Sequence, residues 1–263
     1  MSGRITQAFE LAAREDRAAF VAYLTAGYPS DQDFLQAAEQ VLQHADILEI
    51  GVPYSDPLGD GPTVQRAGEA ALAGGVTTAK VLELAGALRR RTHKPLLLMT
   101  YYNPIYCYPG GEAEFARAAR AAGIDGVILP DLPPDEGPEF IAAARALDLD
   151  TVFLVAPTST PERLRLVGEA CRGFVYAVSV TGVTGARESV PEEVGQLVAA
   201  ARAASGLPVA VGFGVASGAS AAKVAGMADG VVVGSALIER LTAGTGLLEL
   251  AAEIAQGVRR PGG

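Results

Sequence analysis

At 263 residues, with 49% hydrophobic and 19% charged residues, the chain carries enough apolar material for a substantial core and reads as globular rather than disordered. Its formal net charge of -9 argues against a nucleic-acid partner, since contact with a phosphate backbone needs a basic face. No apolar run approaches the roughly 18 residues of a membrane helix, and Met1-Ser2-Gly3-Arg4 leads into an amphipathic pattern with no signal-peptide core, so a soluble, cytoplasmic protein without a membrane partner is expected.

Arg4 to Arg14 places Ile5, Phe9, Leu11 and Ala12 at helical spacing, which predicts a short amphipathic capping helix. Ala18 to Thr25 is the first apolar run of strand length. After Ala26-Gly27-Tyr28-Pro29, the N-cap pattern Ser30-Asp31-Gln32-Asp33 opens a helical stripe of Phe34, Leu35, Ala38, Val41 and Leu42. Apolar runs then recur at Ile47 to Ile50, Pro95 to Met99, Gly126 to Leu129, Thr151 to Val155, Phe174 to Val178, Pro208 to Val211 and Gly230 to Val233. Helical stretches lie between them: Glu112 to Ala122, Asp135 to Leu147, Pro161 to Ala170, Pro191 to Ala204 and Ala219 to Gly226. Ala45-Asp46, Gly123-Ile124-Asp125-Gly126 and Gly226-Met227-Ala228-Asp229-Gly230 announce strands in the same way.

Strands apolar throughout and separated by helices belong to a parallel sheet covered on both faces. Eight βα units in this length fit an α/β fold of the (β/α)8 TIM barrel type, with the N-terminal helix as a cap, better than an open doubly wound sheet. No linker interrupts the series, so residues 1–263 are expected to form one barrel domain. The widest gap between strands lies after the second, where the Pro53 to Pro62 loop sits. Cys107 and Cys171 form no C-x-x-C pair and are expected to be free thiols. His44 and His93 precede strands, away from the catalytic end of such a barrel, and no metal ligand set is expected.

Within Leu48-Glu49-Ile50-Gly51-Val52-Pro53-Tyr54-Ser55-Asp56-Pro57-Leu58-Gly59-Asp60-Gly61-Pro62, Glu49 interrupts an apolar run. It is either a strand acid facing solvent or a buried acid whose pKa is raised by desolvation, able to exchange protons near neutral pH. Asp60 lies in the following loop, at the barrel end that carries active sites. Tyr23, Tyr101, Tyr102 and Tyr176 near strand ends are candidates to assist them. The loop Ser179 to Ser189, with Gly182 and Gly185, is small and polar enough for a lid or an anion cradle. Gly212-Phe213-Gly214-Val215 and Val233-Gly234-Ser235 close strands seven and eight, where barrels often bind phosphate through backbone N–H groups and a helix N-terminus.

These residues resemble the tryptophan synthase alpha chain family. The resemblance runs from Phe20-Val21-Ala22-Tyr23-Leu24-Thr25-Ala26-Gly27-Tyr28-Pro29 through the Glu49 stretch, Thr100-Tyr101-Tyr102-Asn103-Pro104 and Pro130-Asp131-Leu132-Pro133 to Gly234-Ser235. It implies a (β/α)8 barrel that cleaves indole-3-glycerol phosphate to indole and glyceraldehyde 3-phosphate, a retro-aldol step with no cofactor of its own. By position it assigns Glu49 as the main acid/base and Asp60 as its partner at the indole. Tyr23, Thr100, Tyr102 and Tyr176 match the substrate pocket, and Gly182, Gly185, Phe213, Gly214, Gly234 and Ser235 match the phosphate site. Thr184 matches a lid residue that engages Asp60. Tyr23 stands where the family more often has Phe. The resemblance also implies a beta chain partner that holds pyridoxal phosphate and receives indole, in a heterotetramer of two alpha and two beta chains. Pro53, Asp56, Asn103 and Pro104 correspond to the docking face.

Two other readings stay open on residues alone. A related phosphate-binding barrel enzyme would carry a catalytic lysine at a strand end, whereas Lys80, Lys94 and Lys223 fall in helices or before strands. A barrel kept only to activate a partner would need neither Glu49 nor Asp60.

Overall fold

A computed structural model describes residues 3–178, 192–212 and 214–260. The apolar runs become β1 (Ala19–Thr25), β2 (Ile47–Gly51), β3 (Leu96–Met99), β4 (Gly126–Leu129), β5 (Asp150–Val155), β6 (Val175–Val178), β7 (Val209–Gly212) and β8 (Gly230–Val233). They pair in parallel and in sequence order, and β8 returns to β1, so the sheet closes into a barrel. Helix α1 (Arg4–Arg14) precedes it and α2 (Asp31–Val41) follows β1; α3 (Pro62–Ala73) and α4 (Thr78–Arg89) follow β2, and α5 (Tyr102–Tyr106) and α6 (Gly111–Ala121) follow β3. Next come α7 (Pro138–Ala146), α8 (Pro161–Ala170), α9 (Glu192–Ser205) and α10 (Gly218–Ala225), one after each of β4 to β7, and then α11 (Ser235–Ala243) and α12 (Leu247–Gly257) after β8.

Local chemistry starts several helices where the sequence places them. The side chains of Ser30, Thr77 and Thr160 accept from the backbone N–H groups of Asp33, Lys80 and Arg163, satisfying donors that a helix start leaves open. The expected Asp135 to Leu147 helix is broken instead. Pro134–Glu136 forms a single 3-10 turn and α7 begins at Pro138, because proline lacks an N–H and disfavours helical backbone in the residue before it. The long gap after β2 is filled by α3 and α4, a pair bent by 102° across Gly74 and Gly75. Among the described residues no single helix is long and apolar enough to cross a membrane.

Because side chains alternate along a strand, each strand feeds two cores. Phe20, Ala22, Leu24, Leu48, Ile50, Leu98, Phe153 and Val211 pack outward under the helices. Ala19, Val21, Ile47, Leu97, Ile128, Val152, Tyr176, Ala210 and Val232 fill the lumen, joined from below by Ile5, Phe9 and Ala12 of α1. The amphipathic first helix is therefore a plug. Its Phe9 ring lies 5.2 Å from Phe174, and Phe174 lies 6.3 Å from Tyr176, which makes an aromatic column from the floor toward the mouth.

The repeated Asp before a strand proves to be one device used three times. Asp46, Asp125 and Asp229 accept from the backbone N–H of Phe20, Leu96 and Val209 at 2.8, 3.0 and 2.9 Å, tying β1 to β2, β3 to β4 and β7 to β8 at the floor. Each carboxylate is also paired: Asp46 with Arg17 at 2.6 Å, Asp125 with Arg4 at 2.7 Å and Arg89 at 3.0 Å, and Asp229 with Arg202 at 2.9 Å. Asp125 is the most buried, its side chain only 6% exposed. Asp125→Ala is expected to cost roughly 3 kcal/mol, since it strands the Leu96 N–H and leaves Arg89 without its counter-charge. Denaturant unfolding checks this, and a loss under about 1 kcal/mol would mean that the staple is not needed.

Candidate active site

Glu49 sits two residues after Ile47, a lumen residue, and therefore faces the lumen as well. Tyr23 of β1 is its register partner on one side and Leu97 of β3 on the other. Glu49 is 0% exposed, and neither of its carboxyl oxygens has a hydrogen-bond partner. Among the described residues they are the only buried side-chain polar atoms of which this holds. Burial, reinforced by the negative charge of Asp60, pushes its pKa up to about 8. Of the two readings left open by sequence, the buried acid is the one the fold selects. At neutral pH it is a carboxylic acid that retains its proton.

Asp60 arrives from the loop between β2 and α3, which Tyr101 at the end of β3 holds in place. The Gly59 N–H donates to the Tyr101 hydroxyl at 3.0 Å, and that hydroxyl also shares a side-chain hydrogen bond with Asp60. Tyr54 stacks on the Tyr101 ring at 5.0 Å, and Gln65 donates to the Asp60 carbonyl at 2.8 Å. Burial raises the Asp60 pKa while the Tyr101 bond opposes the rise. Glu49 has no such donor. The two acids thus occupy unlike environments, one without a donor and one with Tyr101 beside it, an arrangement that sets the proton affinities of paired carboxyls apart.

Two lumen tyrosines flank the acids, each lying against a glycine of the next strand. A Cβ built on Gly51 would lie 2.1 Å from the Tyr23 hydroxyl oxygen, and one on Gly212 would lie 2.4 Å from that of Tyr176. Only glycine leaves these rings their space. The pKa of each phenol is raised by burial first and then by the negative charges of Glu49 and Asp60, so both stay protonated donors.

The two glycine turns differ. Ser217 and Ser220 form a reciprocal capping box at the start of α10, and the Gly218 N–H donates to Glu253 of α12 at 2.7 Å, so that these N–H groups are already engaged. The start of α11, with Gly234 at the N-cap and Ser235 as its first residue, has no side-chain cap. Its N–H groups are the ones available to an anion. Gly214, exposed and at φ +46°, has open space on its side-chain face. Phe213, Gly182, Thr184 and Gly185 lie outside the described residues.

Two expected contacts point elsewhere. The Thr100 hydroxyl donates to the Tyr101 carbonyl at 3.0 Å. The Tyr102 hydroxyl donates to Glu112 of α6, and its ring packs on Tyr106 at 5.9 Å, because α5 starts at Tyr102 and turns that side chain toward the helix layer. Tyr101, its neighbour, takes the place beside Asp60; the two adjacent tyrosines were visible in sequence, but not which of them faces the site. Lys94, one candidate for a lysine-based enzyme, donates to the carbonyls of Leu42 and Ala45 at 2.6 and 2.7 Å. Cys107 is exposed, Cys171 buried, and both are free. Among the described residues no group of three or more His, Cys, Asp or Glu side chains could hold a metal ion. A cleft of about 860 Å³ opens at the opposite end, lined by Arg4, Arg120, Asp125, Asp150 and Arg172 among others; Asp125 there serves the floor staple, and the orphaned acid is at the mouth.

A family model described as "Tryptophan synthase alpha chain" matches residues 9–259. The chain is 54% identical to the tryptophan synthase alpha chain of Deinococcus radiodurans over 98% of its own length and 95% of the relative's. It superposes on a structure of Mycobacterium tuberculosis tryptophan synthase with a TM-score of 0.92 and 46% identity, covering 98% of this chain and 99% of that one. The corresponding figures for tryptophan synthase subunit alpha from Legionella pneumophila are 0.87 and 34%, covering 98% of each chain.

The raised pKa of Glu49 has a consequence for stability. Folding lifts it from 4.5 to about 8, so between those values the folded state holds more protons than the unfolded state, and this group makes stability fall as pH rises. Glu49→Gln, which cannot ionise, is expected to gain on the wild type across that window, by roughly 4 kcal/mol at its upper end. Denaturation at several pH values tests this; a difference independent of pH would show that Glu49 ionises normally in the fold.

Proposed function

This chain belongs to the tryptophan synthase alpha chain family, and on that premise we propose that it is a carbon-carbon lyase cleaving indole-3-glycerol phosphate to indole and glyceraldehyde 3-phosphate. The observation that carries the reading is the carboxyl of Glu49, buried in the lumen with neither oxygen partnered. A fold tolerates an orphaned acid where its missing partner is a substrate.

The steps follow from the two acids. Protonated Glu49 gives its proton to C3 of the ring, and the positive charge that develops at the ring N–H is held by the Asp60 carboxylate. Glu49, now ionised, takes the proton of the hydroxyl on the adjoining glycerol carbon. That oxygen's electrons form the aldehyde, the bond to C3 breaks, and its pair returns to the ring. Indole and the aldehyde phosphate leave with Glu49 reprotonated and no proton gained or lost. Tyr101 helps keep Asp60 ionised, Tyr176 and Tyr23 wall the pocket, and the uncapped start of α11, with Gly214, Gly234 and Ser235, receives the phosphate. The ring lies on the β2 side of the mouth and the tail on the β8 side. We assign Phe213, Gly182, Thr184 and Gly185 to the same substrate by position in the family.

No cofactor takes part in these steps; pyridoxal phosphate belongs to the beta chain, to which we propose indole is delivered in the cytoplasm. Among the described residues the exposed large hydrophobic side chains are Leu11, Leu58 at 90% and Tyr106 at 67% exposure. Leu58 and Tyr106 sit on the segments of Pro53, Asp56, Asn103 and Pro104, the face we assign to that partner, in a heterotetramer of two alpha and two beta chains.

Glu49→Gln is expected to lower kcat for indole release by 10²- to 10⁴-fold, roughly the contribution of a general acid/base. Asp60→Asn should lower it by about 10²-fold through loss of charge at the ring nitrogen. Both are assayed with a tryptophan synthase beta chain present and circular dichroism confirming the fold, and near-wild-type turnover in both would end the lyase reading. In the same complex, Leu58→Asp is expected to weaken beta chain binding by about tenfold or more, measured by calorimetry, because it places a charge in a desolvated contact; unchanged affinity would move the docking face elsewhere.

A further inference from the structure

Tyr23 joins the two halves of the site. A Cβ on Gly51 would lie 2.1 Å from its hydroxyl oxygen, and one on Gly234 would lie 3.3 Å from its Cδ1. The ring therefore reaches from the turn that opens α11 to the strand end that leads to Asp60, and a molecule held at both places crosses it. Its hydroxyl is poorly satisfied. The one hydrogen bond described for it, with Thr25 Oγ1, is 3.5 Å long, at the outer limit of such bonds. A phenol buried on so weak a bond is a burden that phenylalanine would avoid in the same space. The Thr25 hydroxyl can donate to it, which leaves the phenol proton free for a stronger acceptor.

The titratable groups acting on this hydroxyl are Asp60 from the loop after β2, Glu49 across the β1–β2 register, and the Tyr101 phenol at the end of β3. The Tyr176 phenol faces it from β6. Of the two acids Asp60 acts the more strongly, consistent with a hydroxyl directed along Gly51 toward the loop.

Resting on the lyase reading, we propose that Tyr23 is a further positioning residue: its hydroxyl donates to the Asp60 carboxylate when a substrate ring is bound there, joining Tyr101 in holding that carboxylate ionised and aimed at the ring nitrogen. Tyr23 then has two tasks. Its ring supports the substrate between tail and ring subsites, and its hydroxyl sets the charge state of the residue that anchors the ring.

Tyr23→Phe keeps the ring and removes only the hydroxyl. With the beta chain present, kcat/KM at neutral pH is expected to fall about tenfold to a hundredfold, the range of one lost hydrogen bond to a charged group. The acid limb of its kcat profile, which reports Asp60 in the substrate complex, should move to higher pH, since a carboxylate deprived of a donor protonates more readily. Binding of the non-cleavable analogue indole-3-propanol phosphate, followed by calorimetry over the same pH range, should show the same displacement. A merely structural hydroxyl would change the melting temperature and leave both acid limbs in place, and coincident limbs overturn the proposal. An active wild type with coincident limbs overturns it alone, whereas a wild-type complex that neither releases indole nor binds the analogue overturns the lyase reading with it.

Discussion

The arrangement depends on holding one carboxyl in the barrel lumen without giving it a protein partner. Glu49 can be there because β2 is paired on both sides in fixed register, with Tyr23 on β1 and Leu97 on β3. A slip of one residue would turn Leu48 and Ile50 into the lumen and push the acid among the helices. Closure of the sheet prevents the slip, since every strand has two neighbours and no free edge along which to slide. The acid meets its desolvation by keeping its proton rather than by finding a counter-ion, a response that suits the proton transfer proposed for it.

The two ends of the barrel treat carboxylates in opposite ways. At the floor, Asp46, Asp125 and Asp229 each accept from a neighbouring strand's N–H and pair with arginine. They are fully engaged and serve cohesion. At the mouth, Glu49 has no partner and Asp60 is held by a loop clamp through Tyr101 and Gly59. The helix starts repeat the contrast, with α10 closed by its own serines and α11 left uncapped. Interactions are complete where the molecule must stay together and incomplete where another molecule is to supply the missing half.

Glycine has a quiet part in this. Gly51 and Gly212 stand at lumen positions that a side chain of any size would fill, and the space they leave is occupied by Tyr23 and Tyr176 from the preceding strands. The pocket wall is thus built of pairs, a large ring and an absent side chain, each needing the other. Substituting either member alone would disturb the aromatic wall beside both acids.

Much of this was legible in the order of residues. The alternation of apolar runs and helical stripes, set by the spacing of hydrophobic side chains, determined eight parallel strands with helices between them, because no other arrangement buries strands that are apolar on both faces. Glu49 and Asp60 were conspicuous as acids within and just after such a run, and the repeated Asp before strands was visible as a pattern without a purpose. Only the tertiary structure decided which of two adjacent tyrosines, Tyr101 or Tyr102, meets Asp60, which of two glycine turns offers open N–H groups, and that the aspartates staple neighbouring strands at the floor. The reason is physical. Periodicity is a local property that burial imposes residue by residue, whereas a hydrogen bond between Tyr101 and a loop some forty positions earlier, or the empty space above Gly51 that admits Tyr23, exists only once the sheet has closed and brought distant segments together.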